Sequence, residues 1–217
     1  MAFPLVPIAV AVVAAGVGLG TSAWFLRRKL SGKQVAILGR QEVGKSTLLY
    51  MLRDNRLPDN TTRTTDPIPG GEFEMDLGSR RRARFCVPKD LPGHAAPTWK
   101  LWEEAFNGAD VVFYLFRSDK LVDDEVGETT LVKEHLNMLV EWDSAVATRK
   151  SRRVLLIGTW ADQSELYGAD PAGYIERVKD LPVLQAPSVK LRANVLSGSL
   201  ASNGDAKKLI KAMKGYL

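Results

Sequence analysis

The chain has 217 residues, 45% hydrophobic and 25% charged, with 18 Gly and 11 Pro, which excludes a disordered or collagenous protein and fits one folded domain with an appendage. Its single cysteine, Cys86, excludes an intramolecular disulfide framework and a cysteine-based structural zinc site, and points to a cytosolic domain. A formal net charge of +5 admits a nucleic acid or an anionic membrane as partner, and the placement of the charges decides between them.

No charge precedes Arg27, after which Arg28, Lys29 and Lys33 follow closely. The uncharged run from Leu5 to Leu26 is 22 residues long. At helical rise that is about 33 Å, enough for a hydrocarbon core of about 30 Å. A secretory signal would carry its basic residues before the apolar run, whereas here they come after it, so an uncleaved anchor is expected. The positive-inside rule then sets the C-terminal part in the cytosol, with Trp24 at interface depth. Gly16 and Gly20 form a small-xxx-small pair that could seat a neighbouring helix. The expected organisation is a short non-cytoplasmic N-terminus at 1–4, a transmembrane helix at 5–26, a basic juxtamembrane linker at 27–33 and a folded domain at 34–217. Arg27, Arg28, Lys29 and Lys33 supply four of the five net positive charges, so the folded domain is close to neutral and nucleic acid is not expected as a partner.

Strand patterns follow at 34–38, 72–77, 82–88, 110–116, 153–158 and 192–200, and helical patterns at 45–53, 97–107, 125–147, 171–181 and 205–216. The near-continuous apolar runs VVFYLF and VLLIG are those of strands covered on both faces. The expected fold class is α/β: a doubly wound, mostly parallel six-stranded sheet preceded by one transmembrane helix.

Chemistry begins where the first strand ends. Gly39-Arg40-Gln41-Glu42-Val43-Gly44-Lys45-Ser46 fits G-x-x-x-x-G-K-[ST], a P-loop. Its backbone N–H groups turn inward around phosphate oxygens, Lys45 reaches the β- and γ-phosphates, Ser46 offers a hydroxyl to Mg²⁺, and Thr47, next on the helix, is expected to contact the nucleotide. A simple glycine turn between strand and helix would need neither the lysine nor the serine. At the end of the third strand, Asp90-Leu91-Pro92-Gly93-His94 sets an Asp where it can hold Mg²⁺ through water and a Gly N–H where it can meet the γ-phosphate.

These residues resemble the Ras superfamily of small GTPases over 34–217. Within it they are most similar to the Arf-like branch and to the family of membrane-anchored beta subunits of the signal recognition particle receptor. That family joins one N-terminal span to a GTPase domain, and its switch II reads D-L-P-G-H, as at Asp90 to His94 here. Trp102, Phe106, the strand Val111 to Phe116 with Ser118-Asp119 after it, and Leu200-Ala201-Ser202-Asn203-Gly204-Asp205 also resemble the Arf pattern, the last as the guanine loop. The resemblance implies GTP/GDP and Mg²⁺ as cofactors. It implies His94 as the residue that positions the attacking water, and one switch I threonine in the metal shell, Thr65 first and Thr64 next. Such a loop would be ordered by the γ-phosphate and released after hydrolysis.

The base motif departs from the family, since N-K-x-D is here Thr159-Trp160-Ala161-Asp162. Asp162 keeps the carboxylate that accepts from guanine, Trp160 offers a stacking surface in place of the lysine stem, and Thr159 a shorter hydroxyl in place of the asparagine. Gln41 stands where Ras has a glycine, so intrinsic turnover is expected to be slow, with an activating or exchange factor implied. The expected protein is a membrane-anchored GTP/GDP switch that acts on a cytosolic partner through its switch face. Its membrane would be the endoplasmic reticulum in a eukaryote and the plasma membrane in a bacterium. A constitutively GTP-bound receptor or scaffold subunit with little hydrolysis is the alternative. The arginines at 80, 81, 82 and 84 read as a solvated hairpin that could touch anionic lipid, Cys86 as a core residue, and His135 as a helix residue without a ligand role.

Overall fold

The apolar run of the first strand, Val35 to Leu38, is fully buried at the centre of β1 (Lys33–Gly39). In this computed structural model residues 32–58, 68–78, 82–93, 99–145 and 151–217 are described. The chain divides into Met1–Gly32 and Lys33–Leu217, and the second unit carries the fold. Its strands continue with β2 (Ile68–Asp76), β3 (Arg82–Asp90), β4 (Val111–Arg117), β5 (Arg153–Thr159) and β6 (Asn194–Ser197). They form one six-stranded sheet in the order β2-β3-β1-β4-β5-β6. All neighbours are parallel except β2 with β3, which pair antiparallel from Ile68 opposite Asp90 to Asp76 opposite Arg82.

Alternation along β4 explains the two covered faces. Val112, Tyr114 and Phe116 pack with Trp102 and Phe106 of α2 (Trp99–Gly108) and with Val132, Leu136 and Leu139 of α4 (Val126–Ala145). Val111, Phe113 and Leu115 face the other way, against Leu48, Leu49 and Leu52 of α1 (Lys45–Asp54) and Leu209 and Met213 of α8 (Asn203–Lys214). Each such side chain contributes about 1.5–3 kcal/mol by leaving water, so the sheet is held from both sides.

The elements at the two sheet edges differ from the expected ones. β2 begins four residues earlier than its pattern, because Pro69, Gly70 and Gly71 are tolerated on an edge strand. β6 is shorter than expected, since Arg192 takes a left-handed φ of 52° and ends the preceding helix. Three helices were not expected: α3 (Ser118–Val122), α5 (Glu165–Ala169) and α7 (Pro182–Leu191). α6 (Pro171–Lys179) was, and Asp170 caps it by accepting from Ala172 and Gly173 N–H. Among the described residues no helix is long and apolar enough to cross a membrane. The expected span at 5–26 lies outside them.

Candidate functional site

The site is built at the carboxyl ends of β1, β3 and β5. Gly39 closes β1 at φ +141°, and an added Cβ would fall on the Leu115 carbonyl of β4, so only glycine lets the chain leave the sheet here. The loop then turns through Glu42 at φ 64° into α1. The first turn of that helix presents its N–H groups and dipole to whatever lies in the loop.

Lys45 is 7% exposed and its Nζ donates to the Arg40 carbonyl at 2.8 Å. Burial lowers its pKa to about 8, partly offset by the charge of Asp90. The ammonium is therefore held inside the loop rather than in solvent. Ser46 Oγ donates to Asp90 Oδ2 at 2.7 Å. Asp90 is 2% exposed, and its Oδ1 is buried with no hydrogen-bond partner. A hydroxyl and a carboxylate set together, with one carboxylate oxygen to spare, fit Mg²⁺, which takes one or two protein oxygens and completes its shell with phosphate and water. Among the described residues no group of three or more His, Cys, Asp or Glu could hold a metal without such help.

Gly93 lies directly on this loop. Its carbonyl accepts from Gln41 N–H at 3.2 Å, and an added Cβ would fall on Gln41 N and the Arg40 carbonyl carbon. His94, Thr64 and Thr65 lie outside the described residues. Arg40, the second residue of the loop, turns away toward α4: its Nε is 3.1 Å from Glu128 Oε2. Glu128 is 4% exposed and burial raises its pKa, against the pull of Arg40. The pair ties the loop to the first turn of α4.

The second half of the site comes from β5. Thr159 Oγ1 lies 2.8 Å from the Val43 carbonyl and 3.1 Å from that of Phe116, so one hydroxyl proton braces the loop against β4. Trp160, left-handed at φ 61°, donates Nε1–H to the Glu42 carbonyl at 2.9 Å. Its ring is covered by the Arg117 guanidinium, 4.3 Å from the centroid. Arg117 is held in turn by Asp119, with Nε 2.8 Å from Oδ1. Beyond the indole lies a cavity of about 250 Å³ lined by Gly44, Thr47, Thr159, Trp160, Asp162 and Ala201, with Leu57, Pro58 and Leu200 as its apolar wall.

Two polar groups expected to read a base have local partners here. Asp162 Oδ2 accepts from Gln163 Nε2 at 2.8 Å, and Ala201 N–H donates to Ser199 Oγ at 2.9 Å. Ser202 does not line the cavity: its hydroxyl caps α8 by accepting from Asp205 N–H. Sequence patterns missed Arg117 and the Leu57-Pro58 wall; Ser118, which belonged to the resemblance, donates its Oγ proton to the Thr159 carbonyl at 2.8 Å and meets Tyr174 and Ser197. Arg117 is marked in the sequence only by its position as the last residue of β4, and Leu57-Pro58, in the segment after α1, carry no such signal. His135 is buried against Trp99 and Trp102, with Nδ1 3.0 Å from Tyr114 Oη.

A largely parallel six-stranded sheet covered by helices on both faces, with a Gly-Lys-Ser loop at its first strand-to-helix turn, is the P-loop NTPase fold in its G-domain-like form. A chain from the structure of the mammalian SRP receptor shares that fold: it matches with a TM-score of 0.57 at 15% identity, over 85% of this chain and 100% of that one. No protein-family model matches the sequence, and no curated protein does.

Proposed function

We propose that the protein is a membrane-anchored GTP-binding switch that faces the cytosol, hydrolyses GTP slowly, and recruits or releases a protein partner at the bilayer. One observation carries this reading: the cluster of buried Lys45 and Asp90 with half-buried Ser46 and the cavity of about 250 Å³ beside Trp160 meet at the same loop, one end suited to phosphates and the other to a purine. Gly39 and residues 41–46 cradle the phosphates with backbone N–H groups and the Lys45 ammonium. Ser46, Asp90 through water and Thr65 hold Mg²⁺, and Gly93 meets the γ-phosphate. When bound, the metal neutralises phosphate charge. Trp160 stacks on the base, Asp162 accepts from its N–H groups, Ala201 N–H gives up Ser199 to reach it, and His94 orients the attacking water. The uncharged run at 5–26 followed by Arg27, Arg28 and Lys29 supports the anchored form of this switch, with residues 5–26 as the span.

Competition between GTP and ATP for the purified chain tests the base assignment: GTP wins, and Asp162→Asn erases the preference. If ATP wins, the assignment is wrong. Single-turnover hydrolysis, with His94→Ala beside wild type, tests the enzymatic part, and equal rates refute it. A constitutively GTP-bound scaffold is the second reading, favoured by the Gly93 carbonyl on Gln41 N–H, which packs the switch II backbone onto the loop. Nucleotide retained through gentle purification separates the two, GDP for a turning switch and GTP for a scaffold.

A further inference from the structure

Parallel strands give the domain two chemically different ends. The P-loop, Thr159 and Asp162 stand at the carboxyl ends of the strands, and the amino ends open on Arg82 of β3, Lys33 of β1 and Arg153 of β5. Helix α8 runs back to the amino ends, where Arg153 Nη1 donates to the Tyr216 carbonyl at 3.2 Å, and this brings Lys211 and Lys214 to the same face. Arg192 closes α7 beside the start of β6. All six basic side chains are exposed except the half-buried Lys214. The carboxylates near these ends have partners of their own: Asp76 accepts from Gly78 N–H and Asp110 from Gln34 N–H, Asp143 of α4 pairs with Arg152, and Glu74, which lines a pocket with Lys211 and Lys214, lies 4.0 Å from Arg84. At the opposite end the segments after β4 and β5 carry Asp119, Asp123, Asp124, Glu125, Asp162 and Glu165 against Arg117 and Lys120. A domain that is nearly neutral in total is therefore polarised along its strands.

We propose that the basic end is a lipid-headgroup surface, which lies against an anionic leaflet and turns the nucleotide end to the cytosol. Charge complementarity selects an anionic partner, and each Lys or Arg within a Debye length of the leaflet adds attraction. Covalent continuity selects lipid over nucleic acid. Whatever precedes Lys33 joins the domain at this end, and the sequence there is Arg27-Arg28-Lys29 behind 26 uncharged residues. The inference rests on the membrane part of the proposed function and is independent of its nucleotide part.

The test uses the full chain with vesicles of phosphatidylcholine alone, or mixed with phosphatidylserine, that carry a spin-labelled headgroup. A fluorophore is placed at Lys211→Cys, or at the opposite end at Glu165→Cys, in a Cys86→Ser background. Position 211 is quenched more strongly in the anionic vesicles than in the neutral ones, and position 165 in neither. Lys214→Glu combined with Arg153→Glu and Arg192→Glu abolishes the difference, as does high salt acting on the unmutated surface. Equal quenching in both lipids, quenching at 165, or displacement of the labelled chain by RNA at constant ionic strength overturns the proposal. Flotation with neutral vesicles reports the span separately: a chain that stays behind there refutes the anchor, while anionic vesicles still quench position 211.

Discussion

Thr159→Val exchanges one hydroxyl for a methyl at a site where nothing else changes size. Thr159 and Val43 are both buried, at 1% and 0% exposure, and the lost proton is the one shared between the Val43 and Phe116 carbonyls. Removing the donor leaves a buried acceptor without it, at a cost of about 1–3 kcal/mol. Taking about 2 kcal/mol, and about 2–4 °C per kcal/mol for a domain of this size, the midpoint of thermal unfolding falls by about 4–8 °C. Because the hydroxyl grips the P-loop itself, nucleotide affinity falls as well, by about tenfold if 1.4 kcal/mol of the loss is expressed in binding. Thr159→Ser separates the two effects: it loses a buried methyl, about 1 kcal/mol of stability, and keeps the affinity. The assays are a thermal melt followed by tryptophan fluorescence and a titration with a fluorescent guanine nucleotide. A Val variant that binds nucleotide as the wild type does would refute the bracing role, whatever its stability.

Three further outcomes are expected. Ser46→Ala removes the hydroxyl that bonds Asp90 and abolishes the Mg²⁺-dependent part of nucleotide affinity, so titrations with and without EDTA coincide. Gly93→Ala sets a Cβ on Gln41 N, which drives the Gly93 backbone off the loop; triphosphate affinity falls about tenfold or more while diphosphate affinity holds, and equal losses for both would contradict it. Burial, with the charges of Lys45 and Arg40, lowers the His135 pKa from 6.5 to about 4. Between those values the unfolded chain binds a proton that the folded one does not, so stability is lost as the pH is lowered, by about 2 kcal/mol from pH 7 to pH 5. Melts at the two pH values check this, and the wild type should lose that much more than His135→Phe.

The phosphate end was legible because its chemistry is written contiguously. Gly39 to Ser46 is one motif, and Asp90 to Gly93 follows a strand with a clear pattern. The base end was legible only in part. Thr159 looked like a short substitute for asparagine, yet its hydroxyl reaches Val43 because β5 ends directly beneath the loop. Arg117 could not be found from sequence, since its role depends on β4 and β5 being parallel neighbours with Arg117 opposite Thr159. Ser202 was assigned to the base by resemblance, and the cap its hydroxyl forms on α8 is a contact that the resemblance did not reveal. Among the elements, α7 was hidden by its two prolines: Pro182 suits a first helical turn, but Pro187 in the interior reads as a breaker. The five-residue α3 and α5 are too short for a helical period to show.

Thr159 and Trp160 are adjacent in sequence, and they hold adjacent carbonyls of the P-loop, Val43 and Glu42. The strand end proposed to meet the purine is thus clasped twice to the segment proposed to hold the phosphates, and neither can shift alone. The two halves of a nucleotide should therefore not contribute independently: a nucleoside and a free polyphosphate, offered together, would fall short of the intact nucleotide by more than the entropy of linking them. For the same reason purine preference cannot be retuned at residue 160 without disturbing the phosphate grip, so substitutions there are constrained by the opposite end of the ligand.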